Sequence, residues 1–161
     1  MAGIARTDAG VNVAGDRFVV DIETGTTTYV GVMGVSSSTP IYEVDTEDVS
    51  DQGSGYWKDE QATVRSWGHE LELRRKHIDG EYDPGQELIR VAAQGDPADN
   101  VLTIRVYERN TGADAPKVEA WTGKVTASWE EQGGGQGDKA VVKVVLTGRG
   151  PRVNITHPDA A

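Results

Sequence analysis

Residues 83–95 read DPGQELIRVAAQG, one bounded helix in a chain otherwise written as strands. Asp83 offers a carboxylate to the first amides, Pro84 suits the first helical position, and Glu87 lies where unpaired amides favour an acid. Leu88, Ile89 and Ala92 recur on one side at helical spacing, and Gly95 supplies the stop. A helix over about 83–94 is marginal alone at this length. Its apolar stripe must therefore plug onto other elements.

Those elements are strands. RFVVDI (17–22) and TTTYVGVMGV (26–35) form a pair with a turn around Gly25, the second weakened by Gly31 and Gly34. QATVRSWGHELELRRKHID (61–79) alternates, with Trp67, His69, Leu71 and Leu73 on one face and Ser66, Glu70, Glu72 and Arg74 on the other. Beyond the helix, NVLTIRVYER (100–109) sets Leu102, Ile104 and Val106 opposite Thr103, Arg105 and Tyr107. KVEAWTGKVTASWEE (117–131) puts Trp121, Val125, Ala127 and Trp129 in one register, with Gly123 as a bulge point. KAVVKVVLTGR (139–149) turns Val142, Val144 and Leu146 inward. This order predicts one α+β domain, mainly β and antiparallel, over residues 17–149.

Outside that domain, residues 1–16 read as an N-terminal arm and 150–161 as a C-terminal arm, both lacking an apolar period. Within it, SSSTPIYEVDTEDVSDQGSGYWKDE (36–60) reads as a long acidic loop, and loops of this length usually have a job. Between Glu43 and Glu60 it carries Glu43, Asp45, Glu47, Asp48, Asp51, Asp59 and Glu60 against Lys58 alone. Ile41, Tyr42, Tyr56 and Trp57 lie near its two ends as anchors, with the middle projecting.

Composition narrows the function. Valine dominates the apolar residues and the sole Phe is Phe18, which favours strands and a thin core. A formal net charge of -10 opposes gripping nucleic acid, which draws on clustered Lys and Arg. Cysteine is absent, so disulfides, thiolate nucleophiles and Cys-ligated metals are excluded. MAGIARTDAGVNVAGDR lacks the basic start and apolar run of a signal peptide, and no stretch approaches a membrane span. A soluble product made in the cytoplasm is the expectation, with no membrane partner.

The search for chemistry returns no catalytic, cofactor or metal residues. His69 and His77 flank a strand turning basic and read as surface or edge positions, while His157 sits in a Pro-bracketed tail. The acids of the long loop lack the ligand order of a calcium loop. Ser36–Ser38 lie in no nucleophile elbow. QGGGQGD lacks the Lys-Ser/Thr and following helix of a phosphate cradle. Arg74, Arg75 and Lys76 form the sole basic cluster, an exposed face or a set of salt-bridge partners. A monomeric, carbohydrate-binding-like sandwich module using its tryptophans is the rival from a different class, although Trp121 and Trp129 share the inward register. No enzyme is expected.

Taken together, the polar arm, the strand pair ending at MGVSSSTP, the acidic loop, the WGHELELRRKH strand, the DPGQELIRVAAQ helix and the closing strands resemble the major tail tube protein of siphophages. The resemblance runs from about Arg17 to Arg149. It implies a phage tail tube-like β-sandwich or split barrel with one flanking helix, assembled as homo-hexameric rings stacked into a tube through which DNA is ejected. It further implies tape measure, tail terminator and distal tail proteins as partners, and a virion tail assembled in the host bacterial cytoplasm. Tyr42, Glu43, Asp45, Glu47, Asp48, Asp51, Tyr56 and Trp57 become candidate inter-subunit residues. Glu70 and Glu72 become candidate lumen acids past which DNA slides without specific binding, and no cofactor is implied. The inner tube of a contractile injection machine, which shares the fold, is the related alternative.

Overall fold

The computed structural model describes residues 17–160; the expected N-terminal arm, 1–16, lies outside them. In chain order the elements are β1 (Phe18–Gly25), β2 (Thr28–Gly31), β3 (Val35–Asp48), β4 (Glu60–Arg74), β5 (His77–Ile78), β6 (Glu81–Tyr82), α1 (Pro84–Gln94), β7 (Leu102–Glu108), β8 (Ala120–Gln132), β9 (Val141–Gly148) and β10 (Val153–Asn154). The main sheet is antiparallel, ordered β2-β1-β7-β8-β9-β4-β3, with β10 beside β8 and β5-β6 a separate small hairpin. This is the expected mainly-β architecture with one helix.

A short connection forces the sheet to curl. β2 and β3 stand at opposite ends of the strand order, yet only Val32, Met33 and Gly34 join them. Seven strands laid flat span about 29 Å, whereas three linking residues reach about 13 Å. The sheet therefore wraps into a split barrel. Val32 N–H donates to the Val20 carbonyl of β1 at 3.3 Å, and Arg74 N–H of β4 donates to Gly34 at 2.8 Å. β8 makes the corner, pairing with β7 through Ala120–Val125 and with β9 through Val125–Gln132.

The core fills the space inside. Ile22 of β1, Leu71 and Leu73 of β4, Ile104 and Val106 of β7, and Val144 and Leu146 of β9 are all at most 1% exposed. Such alternation buries one face of each strand and leaves the other polar.

α1 seals the crossing. Asp83 Oδ2 accepts from Gln86 N–H at 3.1 Å and from Met33 N–H at 3.3 Å, so the helix cap also grips the link between β2 and β3. Gln86, fully buried, donates from Nε2 to the Met33 carbonyl at 2.7 Å and to the Arg74 carbonyl at 2.9 Å. Gly85 lies so close to Gly31 and Val32 that a Cβ there would collide with their backbone. Ile89 is fully buried, Ala92 is 9% exposed, and Leu88 is half-buried against the core. Gly95 ends the helix at φ −85° rather than in the left-handed region, because Pro97 holds the preceding Asp96 extended.

Three expectations fail. Residues 36–60 are not a loop: 36–48 belong to β3 and Glu60 opens β4, leaving 49–59 as the tip of a long hairpin. The expected strand over 26–35 is broken by the crossing, at Gly34 with φ +76°. The expected C-terminal arm, 150–161, packs back on the domain as far as described: β10 pairs with Thr122 and Trp121, and His157 is 2% exposed with Nε2 2.7 Å from the Glu108 carbonyl.

Candidate assembly interface

β4 has two sheet neighbours only from Gly68 to Arg74, where β9 pairs with it. Towards the tip, Glu60–Ser66 pair with Glu43–Asp48 alone. Every residue of these two segments is exposed. A two-stranded ribbon thus stands off the barrel with neither face covered, an arrangement of marginal stability in water. Its length from Glu43 to Asp48 is about 20 Å, and the tip adds to that reach.

The ribbon is built to hold its shape. The register shifts between Asp45↔Val64 and Thr46↔Ala62, leaving Thr63 as a bulge whose Oγ1 donates to the Asp45 carbonyl at 3.2 Å. At the tip, Val49 N–H donates to Asp59 at 2.9 Å, and Asp59 N–H donates to Ser50 Oγ at 2.7 Å. Asp51 caps a short 3-10 turn at Gln52–Ser54 in a reciprocal box with Ser54. Asp48, hydrogen-bonded by Ser50, has its carboxyl held below the usual range.

Tyr56 and Trp57 do not anchor the segment. They stand at the tip, Tyr56 fully exposed and Trp57 85% exposed, with Val49 and Val64 also uncovered. Acids surround them: Glu43 faces Ser66, Asp45 faces Val64, Glu47 faces Gln61, and Asp48 faces Glu60 as a like-charge pair. Lys58 offsets the last by pairing with Glu60 at 2.5 Å. Exposed large apolar residues among mostly acidic neighbours are features of a contact surface.

The root is fixed by the expected anchor Tyr42, by the inward Trp67 and Trp121, and by Arg152, which no local sequence pattern marks. Tyr42 pairs with Trp67 across the ladder. Arg152 stacks over Tyr42 at 4.6 Å and over Trp121 at 4.4 Å, and Trp67 Nε1 donates to the Gly150 carbonyl at 2.9 Å. A Cβ at Gly123 or Gly148 would collide with the Trp67 ring. These bonds hold the C-terminal segment against the base of the ribbon.

Glu70 and Glu72 lie on the face turned away from the core, Glu70 paired with Lys143 Nζ at 3.1 Å and Glu72 accepting from Ser36 Oγ at 3.3 Å. Opposite them, His69 is not at the surface. Inward alternation buries it completely, its Nε2 2.6 Å from Ser38 Oγ, and burial pushes its pKa down to about 4. Both side chains are enclosed, so the pair offers no reachable nucleophile. Glu87, hydrogen-bonded by Arg90 and then Arg75, falls to about 2. Among the described residues no group of three His, Asp or Glu is placed to hold a metal, and no helix is long and apolar enough to cross a membrane.

The strand order and the single helix define the fold class, a split β-barrel with one flanking helix. Among solved structures it is similar to the tail of an empty gene transfer agent (GTA) particle obtained by helical refinement with C6 symmetry, at TM-score 0.65 and 15% identity over 91% of this chain and 100% of that one. The SPP1 tail tube matches at TM-score 0.63 and 12% identity over 92% and 81%. A component of the anti-feeding prophage (AFP) baseplate, 6-fold symmetrised, matches at 0.58 and 11% over 93% and 99%. At these identities the shared property is the fold. No family model and no curated protein matches the chain.

Proposed function

We propose that this chain is the structural subunit of a bacteriophage tail tube, non-enzymatic, forming hexameric rings that stack around a channel for DNA. The observation that carries the reading is the ribbon: both faces exposed, tipped by Tyr56 and Trp57, and mounted on a fold similar to that of a GTA tail of C6 symmetry and of the SPP1 tail tube. Among the described residues β3 adds an edge with β4 as its single ladder partner over its whole length, and neighbours in a ring would pair it. Glu70 and Glu72 would face the channel, where carboxylates repel phosphate and let DNA slide. Tape measure, terminator and distal tail proteins would then meet the tube within a virion tail assembled in the bacterial cytoplasm.

The likeness to the AFP baseplate component favours a second reading, the inner tube of a contractile machine; a sheath gene beside this one would select it. Sedimentation velocity and negative-stain imaging of the purified chain test the tube itself. Rings or tubes with sixfold end views are expected. Stable monomers at high concentration, above all monomers that bind sugar, would overturn it.

A further inference from the structure

The ribbon leaves the barrel beyond Gly68↔Thr147, and the opposite end of the same strands, at Leu73↔Val35 and Arg74↔Val141, carries a cluster of cations, with Glu72 Oε1 3.3 Å from Ser36 Oγ at its margin. There Gly34, Val35, Ser36, Arg74, Lys76 and Lys139 line an open groove of about 640 Å³ that no carboxylate lines. Arg75 also borders it, but its guanidinium is committed to Glu87 at 2.7 Å and to the Tyr82 ring at 3.8 Å. Arg74, Lys76 and Lys139 are exposed and form no ion pair among the described residues. In a chain of net charge -10, three uncommitted cations around one groove are a concentrated exception.

We infer that this groove receives the acidic ribbon tip of a second copy of the chain. The inference rests on the tube reading above and assigns the receiving surface. Glu47, Asp48, Asp51, Asp59 and Glu60 cluster at the tip with Lys58 the only base between Glu43 and Glu60. Tip and groove sit at opposite ends of the β3–β4 ladder, so the contact cannot close within one molecule. It is a heterologous contact, which joins copies head to tail, along the tube or around a ring. Complementary charge also fixes polarity, because tip against tip and groove against groove both repel.

The test uses the full chain and follows assembly by light scattering and electron microscopy at low and high salt. Three variants are compared with wild type: groove-reversed (Arg74→Glu, Lys76→Glu, Lys139→Glu), tip-reversed (Glu47→Lys, Asp59→Lys, Glu60→Lys), and the chain carrying all six changes. All six positions are exposed, and circular dichroism checks that each variant folds. Each single reversal is expected to raise the concentration at which tubes appear by at least about tenfold. The sixfold reversal is expected to restore assembly, and salt to weaken wild-type tubes. Wild-type tubes alongside groove-reversed tubes at the same concentration would overturn this inference alone. A wild-type chain that never assembles would overturn the tube reading and this inference with it.

Discussion

Removing the ribbon should separate folding from assembly. Val44 and Arg65 are ladder partners, so an Asn-Gly turn can join them in place of residues 45–64 and close a two-residue hairpin. The deletion removes six acids and one lysine, taking the formal charge from -10 to -5. No residue of 45–64 is buried, so no core contact is lost. Shortening the connection about tenfold returns about 2 kcal/mol of loop-closure entropy, set against ladder bonds that solvent already weakens. The net change should stay within about 2 kcal/mol, or roughly 8 °C in Tm for a domain of this size. Thermal unfolding followed by circular dichroism measures that quantity, and sedimentation velocity with imaging measures assembly. A folded monomer is expected. Normal tubes from this variant would remove the ribbon from the assembly mechanism, and a loss of several kcal/mol would show that it belongs to the core.

Two further outcomes concern the barrel. Gln86→Met keeps the volume but withdraws both donors from the Met33 and Arg74 carbonyls, and should cost about 2 kcal/mol in urea unfolding; an unchanged midpoint would deny Gln86 its role in sealing the crossing. His69, neutral inside, titrates near 4 against an ordinary 6.5. Between those values the unfolded chain holds the extra proton, so this contribution is complete above pH 6.5 and is lost as pH falls, about 2–3 kcal/mol between pH 7 and 4.5. The double variant Ser38→Ala, His69→Phe leaves neither partner unpaired and should flatten that part of the pH profile. An identical slope in both proteins would place the acid sensitivity elsewhere.

The barrel strands were legible because each buries one face. Leu71 and Leu73, Ile104 and Val106, and Val142, Val144 and Leu146 alternate with polar residues for that physical reason alone. The helix was legible because its start is local chemistry: Asp83, Pro84 and Glu87 act within one turn. The ribbon was illegible by the same logic. With both faces in water, Glu43–Asp48 has no face to keep apolar, so Val44 and Thr46 alone mark the face opposite Glu43, Asp45 and Glu47, and the acids suggest a loop. Its remaining signal was the β-branched content of Val44 and Thr46 on one strand and Thr63 and Val64 on the other. Long-range features left no local mark either. Nothing near Gln86 in sequence announces a buried amide reaching Met33 and Arg74, and nothing near His157 announces the Glu108 carbonyl.

What remains open on the molecule defines what copies of it would supply in the proposed tube. The crossing at Val32–Gly34, locked by Asp83 and Gln86, draws the two ends of the strand order together, and β10 with Trp67 fastens the C-terminal segment. The barrel therefore holds its core without help. Among the described residues the long edge of β3, laddered to β4 alone, and the bare ribbon beyond it stay uncovered. The edge carries Pro40 within the barrel and Glu43, Asp45 and Glu47 along the ribbon, features that discourage indiscriminate strand pairing. An edge guarded in this way accepts a partner only where geometry and charge both fit. In the proposed tube, that requirement would suit a subunit that stays soluble before assembly and then adds in one direction.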